Sequence, residues 1–147
     1  MIYRILVTGS RSWKDTEKLH AALDAVALAA LDTVASSVVL VLGGALGADT
    51  TAHLWAADRK RQGWRIERPE VHPVSGAEWR KSSYAGNLRN QRMVDLGADV
   101  CVAAVNPCEK PKCRKPKPHG THGSTDCVER CEAYGIRVIP VAPGAGA

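Results

Sequence analysis

Three stretches of the chain carry residues whose types and spacing suit chemistry. In "LGGALGADTTAH", Gly43, Gly44 and Gly47 stand just ahead of an alanine-rich run. Glycines there free backbone N–H groups at a helix N-terminus, where orphan donors and the helix dipole favour an anion such as phosphate. The spacing matches neither the nucleotide P-loop, which needs a lysine after its last glycine, nor the dinucleotide G-x-G-x-x-G pattern. Asp49 falls in the first turn of the expected helix, where a carboxylate repels phosphate but suits the dipole. It therefore reads as a cap, a ribose contact or a general acid/base. His53, four residues on, shares its expected face and reads more simply as a packing residue.

The second stretch is "TGSR". Gly9 lets backbone approach a ligand, Ser10 offers a hydroxyl and Arg11 a planar fork suited to phosphate, against the plainer reading of a tight turn with a solvated arginine. The third is "GNLRNQRMVD", which puts Asn87 and Asn90 on one helical face with Arg89 and Arg92 as a neighbouring pair. Such amides and guanidinium groups can read bases or phosphates, and equally make an ordinary polar helix surface.

A different chemistry sits in "NPCEKPKCRKPKPHGTHG", residues 106–123, a proline-rich stretch with no apolar period that reads as an insertion between a strand and a helix. Cys108, Cys113, His119 and His122 give C-x4-C-x5-H-x2-H, a ligand set for a tetrahedral zinc that would order the loop. With all four bound, no position stays open for water, so the expected zinc is structural. Cys127, at i and i+4 with Cys131, is an alternative ligand, but both read first as core thiols, as does Cys101. Most of the +5 formal charge comes from the lysines and arginine of this insertion, so any basic footprint is local.

The elements that must position these groups follow from apolar runs and breakers. Near-continuous apolar runs at 2–8, 38–42, 99–105 and 136–141 read as buried strands of a parallel sheet, and "WRIERPEVHPV" reads as a proline-limited edge strand. Helices are expected from Asp15 or Thr16 through Ala30, over 48–60, over 76–96 ending at Gly97, and from a Ser124 cap to Gly135; "APGAGA" reads as a flexible tail. Strands alternating with helices imply an α/β, Rossmann-like doubly wound, mainly parallel sheet of about five strands in order 3-2-1-4-5. The layers would be α/β/α, in one domain over 1–147. Five cysteines, an odd number, and no export signal or apolar run of bilayer length point to reduced thiols and a cytoplasmic protein with no membrane partner.

"RILVTGSR", "GGALGADTTAHLWA" and "GNLRNQRMVD" together resemble the SLOG superfamily, the Rossmann-like group of DNA-processing protein A and the LOG phosphoribohydrolases. Within it they resemble the YspA-like branch, over most of the chain except the insertion. The resemblance implies a pocket for a nucleotide or nucleotide-like ligand, formed by Gly9, Ser10, Arg11, Gly43, Gly44, Gly47, Asp49, Asn87, Arg89 and Asn90. It also implies two alternatives. One is hydrolysis of a nucleotide N-glycosidic bond; the LOG glutamate has no counterpart in this glycine motif, so Asp49 would be the catalytic carboxylate. The other is binding of single-stranded nucleic acid, with Trp13, Trp55, Trp64, Trp79 and Tyr84 as stacking candidates. A small nucleotide ligand ranks above nucleic acid, a homo-oligomer is compatible, and no redox cofactor is expected.

Overall fold

Ile5, Leu6 and Val7 are wholly buried, as is every residue of two further strands, the pattern of parallel strands covered on both faces. The computed structural model describes residues 1–143. It forms β1 (Ile2–Gly9), β2 (Ser37–Leu42), β3 (Glu70–Val71), β4 (Val100–Ala104) and β5 (Val138–Val141), joined in one parallel sheet of order β3-β2-β1-β4-β5. The expected order is the one observed. Because the chain winds one way from β1 to β3 and the other way through β4 and β5, the switch point lies between β1 and β4, at their carboxyl ends.

Helices cover both faces. On one, α1 (Thr16–Thr33) and α2 (Ala48–Arg61) bury Leu19, Leu23, Ala27 and Trp55 against Ile5, Val7 and Leu40. Asp15 caps α1, its carboxylate accepting from the Lys18 N–H at 3.1 Å. On the other face, α4 (Ala85–Leu96) and α5 (His122–Tyr134) bury Met93, Val94, Cys127 and Cys131 against Leu6, Val41 and Cys101. The three thiols are core, as expected of Cys101 within a strand and of Cys127 and Cys131 at i and i+4 on the last helix. Hydrogen bonding to Cys101 and burial push the Cys131 thiol up to about 12, and contact with Cys131 followed by burial pushes Cys127 higher still.

Three expectations are corrected. The helical pattern over 76–96 is two helices, a short α3 (Gly76–Lys81) and α4, because Ser82 turns extended and its hydroxyl accepts the Tyr84 N–H at 3.0 Å, competing with helical bonding. The proline-flanked edge strand shrinks to β3, with one further bridge from Val38 to Ile66. Finally, α5 begins at His122 with Thr121 at its cap, and Ser124 is buried inside the first turn. Residues 144–147 of the expected tail lie outside the described residues. Among the described residues no helix is long and apolar enough to cross a membrane.

Candidate functional site

The loops that leave β2, β1 and β4 at the sheet's carboxyl edge, with the start of α4 and α3, enclose a cleft of about 520 Å³. Gly9, Ser10, Arg11, Gly43, Asp49, Asn87, Arg89 and Asn90 all line it. Gly44 and Gly47 do not. Gly44 backs onto Val71 and Pro73, and Gly47, with φ 73°, lies directly against the carbonyls of Ser10 and Arg11. There the Ala48 N–H donates to the Ser10 carbonyl at 3.2 Å, so the glycine turn is fastened onto the Gly-Ser-Arg loop. At Gly9 a Cβ would fall on Ala48 and the Ala104 carbonyl, which is why α2 can start flush against β1.

Asp49 is 6% exposed, and its Oδ2 accepts the Ala45 N–H at 3.1 Å. Burial pushes its carboxyl up to about 6, held back by the Ala45 N–H, the Arg89 charge and the Gly43 N–H. The Ala45 N–H, one of the backbone donors that this turn could offer a phosphate, is therefore already engaged by a carboxylate. Arg89 reaches in from α4, its Nη1 donating to the Gly43 carbonyl at 2.6 Å and the His72 carbonyl at 3.2 Å, and its Nε to Asn90 Oδ1 at 3.0 Å. Burial lowers its pKa, opposed by the Asp49 charge. Asn90 in turn donates to the Gly123 carbonyl and to Asp126, joining α4 to the first turn of α5. Arg92 points elsewhere, pairing with Glu78 at 3.1 Å, and His53 is exposed away from the cleft.

Ser10 is 1% exposed, and its hydroxyl is engaged on two sides. Its Oγ accepts the Asn106 N–H at 2.7 Å and lies 2.6 Å from Thr121 Oγ1. It anchors both ends of the 106–123 segment rather than offering a free hydroxyl to a ligand. Arg11, by contrast, is exposed, and its side chain makes no hydrogen bond or ion pair among the described residues.

The insertion is the wall of the cleft that sequence reasoning missed. Its ends pair as an antiparallel bridge between Pro107 and Gly120, with the Cys108 N–H donating to the His119 carbonyl at 2.7 Å and the Thr121 N–H to the Asn106 carbonyl at 3.0 Å. Lys110, Thr121, His122, Gly123 and Ser124 then line the cleft beside Arg11. Trp79, 46% exposed, lines it from α3 with its ring packed over Gly86. Trp13 and Trp55, by contrast, are buried in the core.

Just inside the Pro107–Gly120 bridge, the ligand atoms of Cys108, Cys113, His119 and His122 lie within 4.8 Å of one another, an arrangement that can hold a metal ion. Cys113 Sγ is 3.4 Å from His119 Nε2 and 3.3 Å from His122 Nε2. The two Nε2 atoms are 3.3 Å apart, and Cys108 Sγ is 3.5 Å from His122 Nε2. The His119 Nδ1–H donates to the Pro116 carbonyl at 2.9 Å, which leaves Nε2 as the lone-pair atom facing the cluster. Desolvation, Lys110, Lys115 and His119 lower the pKa of His122, favouring the neutral ring that ligates metal. Cys127 is far from this role, sunk in the core beside Cys131.

Comparison with known proteins agrees with this architecture. The chain is 42% identical over 137 residues to the Gene 61 protein of Mycobacterium phage D29, an overlap of 92% of this chain and 94% of that protein. Residues 3–68, which hold β1, β2 and both glycine-bearing loops, match the sequence pattern of the YspA, cpYpsA-related SLOG family. The chain belongs to that family.

Proposed function

We propose that the cleft binds a nucleotide or nucleotide-derived ligand, with its phosphate at Arg11 and Lys110 and a sugar hydroxyl at Asp49. The observation that carries this reading is the set of charged groups that line the cleft. The order β2-β1-β4 sets the loops side by side: buried Asp49, with the Arg89 charge beside it, holds the glycine turn, and exposed Arg11 and Lys110 line the same cleft. A carboxylate accepting from ribose hydroxyls is the established chemistry of such a cleft, and guanidinium with ammonium suits phosphate. Trp79 offers a face on which a base can stack. Where the sequence put the phosphate on the Gly43 to Gly47 turn, this reading puts it at Arg11 and Lys110, because the Asp49 carboxylate holds the Ala45 N–H of that turn and repels an anion there.

Arg11→Ala is expected to weaken binding of a nucleoside 5′-monophosphate by about 10- to 100-fold, the equivalent of one charge-assisted contact, while leaving the matched nucleoside unaffected. Isothermal titration of both ligands decides it; equal losses for nucleoside and monophosphate would place the phosphate elsewhere.

A second reading rests on Asp49. A desolvated carboxyl near 6 that lines the cleft has the pKa of a general acid/base, suited to activating water for cleavage of an N-glycosidic bond. Release of free base from 5′-monophosphates, lost in Asp49→Asn, supports that reading; no release at high protein concentration ends it. Single-strand binding is the weaker alternative, since Trp13 and Trp55 are committed to the core.

The metal cluster is assigned to zinc. Tetrahedral zinc with sulfur at about 2.3 Å and nitrogen at about 2.0 Å sets neighbouring ligand atoms roughly 3.3 to 3.6 Å apart for N–N and S–N pairs. The N–N separation and three of the four S–N separations of this cluster run from 3.3 to 3.5 Å. Protein purified without chelator is expected to carry about one zinc per chain by elemental analysis, and Cys113→Ser to carry far less.

A further inference from the structure

The 108–119 segment has no apolar core of its own; nearly all its side chains are exposed, apart from Cys108, Cys113 and His119. Its base is tied down by Ser10, Asn106 and Thr121, but between that base and its tip the converging donors Cys108, Cys113, His119 and His122 are what closes the loop. Two of the residues that face the ligand belong to that closure. Lys110 lies in the turn between Cys108 and Cys113, where its carbonyl accepts the Cys113 N–H at 3.1 Å, and it lines the cleft. His122 is at once a donor of the cluster, the first residue of α5 and a lining residue.

We infer that the metal cluster is a positioning element of the nucleotide cleft: a metal ion held by Cys108, Cys113, His119 and His122 fixes Lys110 and the start of α5 against the ligand's phosphate, so metal and phosphate bind cooperatively. The inference rests on the nucleotide reading above and adds to it a dependence on the metal. Without the ion, sulfur and imidazole lone pairs face one another at 3.3 to 3.5 Å, and the loop keeps the Cys108–His119 and Cys113–Lys110 backbone bonds, the Lys117 Nζ contact to the Lys110 carbonyl and the His119 bond to Pro116, with no apolar core behind them. The loop then opens, and Lys110 leaves the cleft. With the ion, a lysine on a flexible stem hangs from a closed turn, and less of its freedom is lost when phosphate arrives.

The test starts from the zinc-loaded chain titrated with AMP, GMP, CMP and UMP. The tightest of these is then titrated into chelator-stripped protein, into stripped protein reloaded with zinc, and into zinc-loaded Lys110→Gln. Stripping is expected to weaken the monophosphate tenfold or more and reloading to restore it, while Lys110→Gln weakens it about tenfold and leaves the matched nucleoside unchanged. By linkage, saturating monophosphate raises zinc affinity by the same factor that stripping lowers monophosphate affinity. Far-UV circular dichroism tests whether the stripped sheet stays folded. Where it does not, Lys110→Gln, which leaves every metal donor in place, decides alone. Equal affinity in loaded and stripped folded protein overturns the coupling and leaves the nucleotide reading standing; an unchanged affinity in Lys110→Gln overturns the coupling and leaves that reading with Arg11 alone at the phosphate. A loaded chain that binds none of the four monophosphates overturns both, and a chain that takes up no zinc overturns the coupling outright.

Discussion

Gly47→Ala is expected to lower the unfolding free energy by about 3 kcal/mol or more, read as a shift of the denaturant midpoint. Two effects combine. At φ 73° and ψ −118° the backbone is in a region that L side chains rarely adopt. In addition, the new methyl would strike the carbonyl oxygens of Ser10 and Arg11, which are backbone and cannot rotate aside. Gly63→Ala separates the two, because Gly63 has φ 95° with open space around it. Its cost is strain alone, about 1 to 2 kcal/mol. Since the turn and the Gly-Ser-Arg loop share the Ala48 to Ser10 hydrogen bond, Gly47→Ala should also displace Arg11 and weaken monophosphate binding. A Gly47 variant no less stable than the Gly63 variant would show that the two loops are not in firm contact.

Asp49→Asn is expected to be more stable than the wild type at neutral pH, by up to about 3 kcal/mol. Burial raises the folded-state pKa to about 6 from an ordinary 3.8, so the folded chain takes up a proton more readily than the unfolded chain. That contribution to stability is complete below pH 3.8 and is lost as pH rises through 6. Asparagine stays neutral throughout. The stability difference, variant minus wild type, therefore grows from pH 4 to pH 7, and denaturant midpoints for both proteins across that range measure it. A difference that does not change with pH would mean that Asp49 ionises normally in the folded protein. An aspartate retained where a neutral residue would be more stable is a mark of function over stability.

Much of this was open to reading in the residues. Buried parallel strands followed from apolar runs without alternation at β1, β2 and β4, because strands buried on both faces have little freedom in what they can be, and their order from the alternation of strands with helices. The three ligand stretches met in one cleft because each sits in or beside a loop at the sheet's carboxyl edge. The same rule applied to the 106–123 segment, which also leaves a strand at that edge. Its lysines read as able to attract a phosphate and His122 as a metal ligand, but its lack of apolar period made the segment look peripheral, and that hid its place as a wall of the cleft. The break at Ser82 was obscured for another reason. Helical spacing continues across it, and only the competition between a serine hydroxyl and the backbone, together with the Ser75–Glu78 capping box, sets the boundaries. The role of Ser10 lay beyond sequence altogether, since its partners are 96 and 111 residues away.

The way the insertion is pinned has an evolutionary consequence. Its two stems meet at the Asn106–Thr121 hydrogen bond and are clasped by one serine hydroxyl, so the sheet registers only where the segment begins and ends. Apart from the donor that His122 of α5 contributes, the residues between could be exchanged as a cassette while the Rossmann-like frame beneath stays the same. Related chains could then differ in what they recognise by trading twelve or so residues at this one junction, and a graft of another tip onto the 107 and 120 stems would carry its own preference with it.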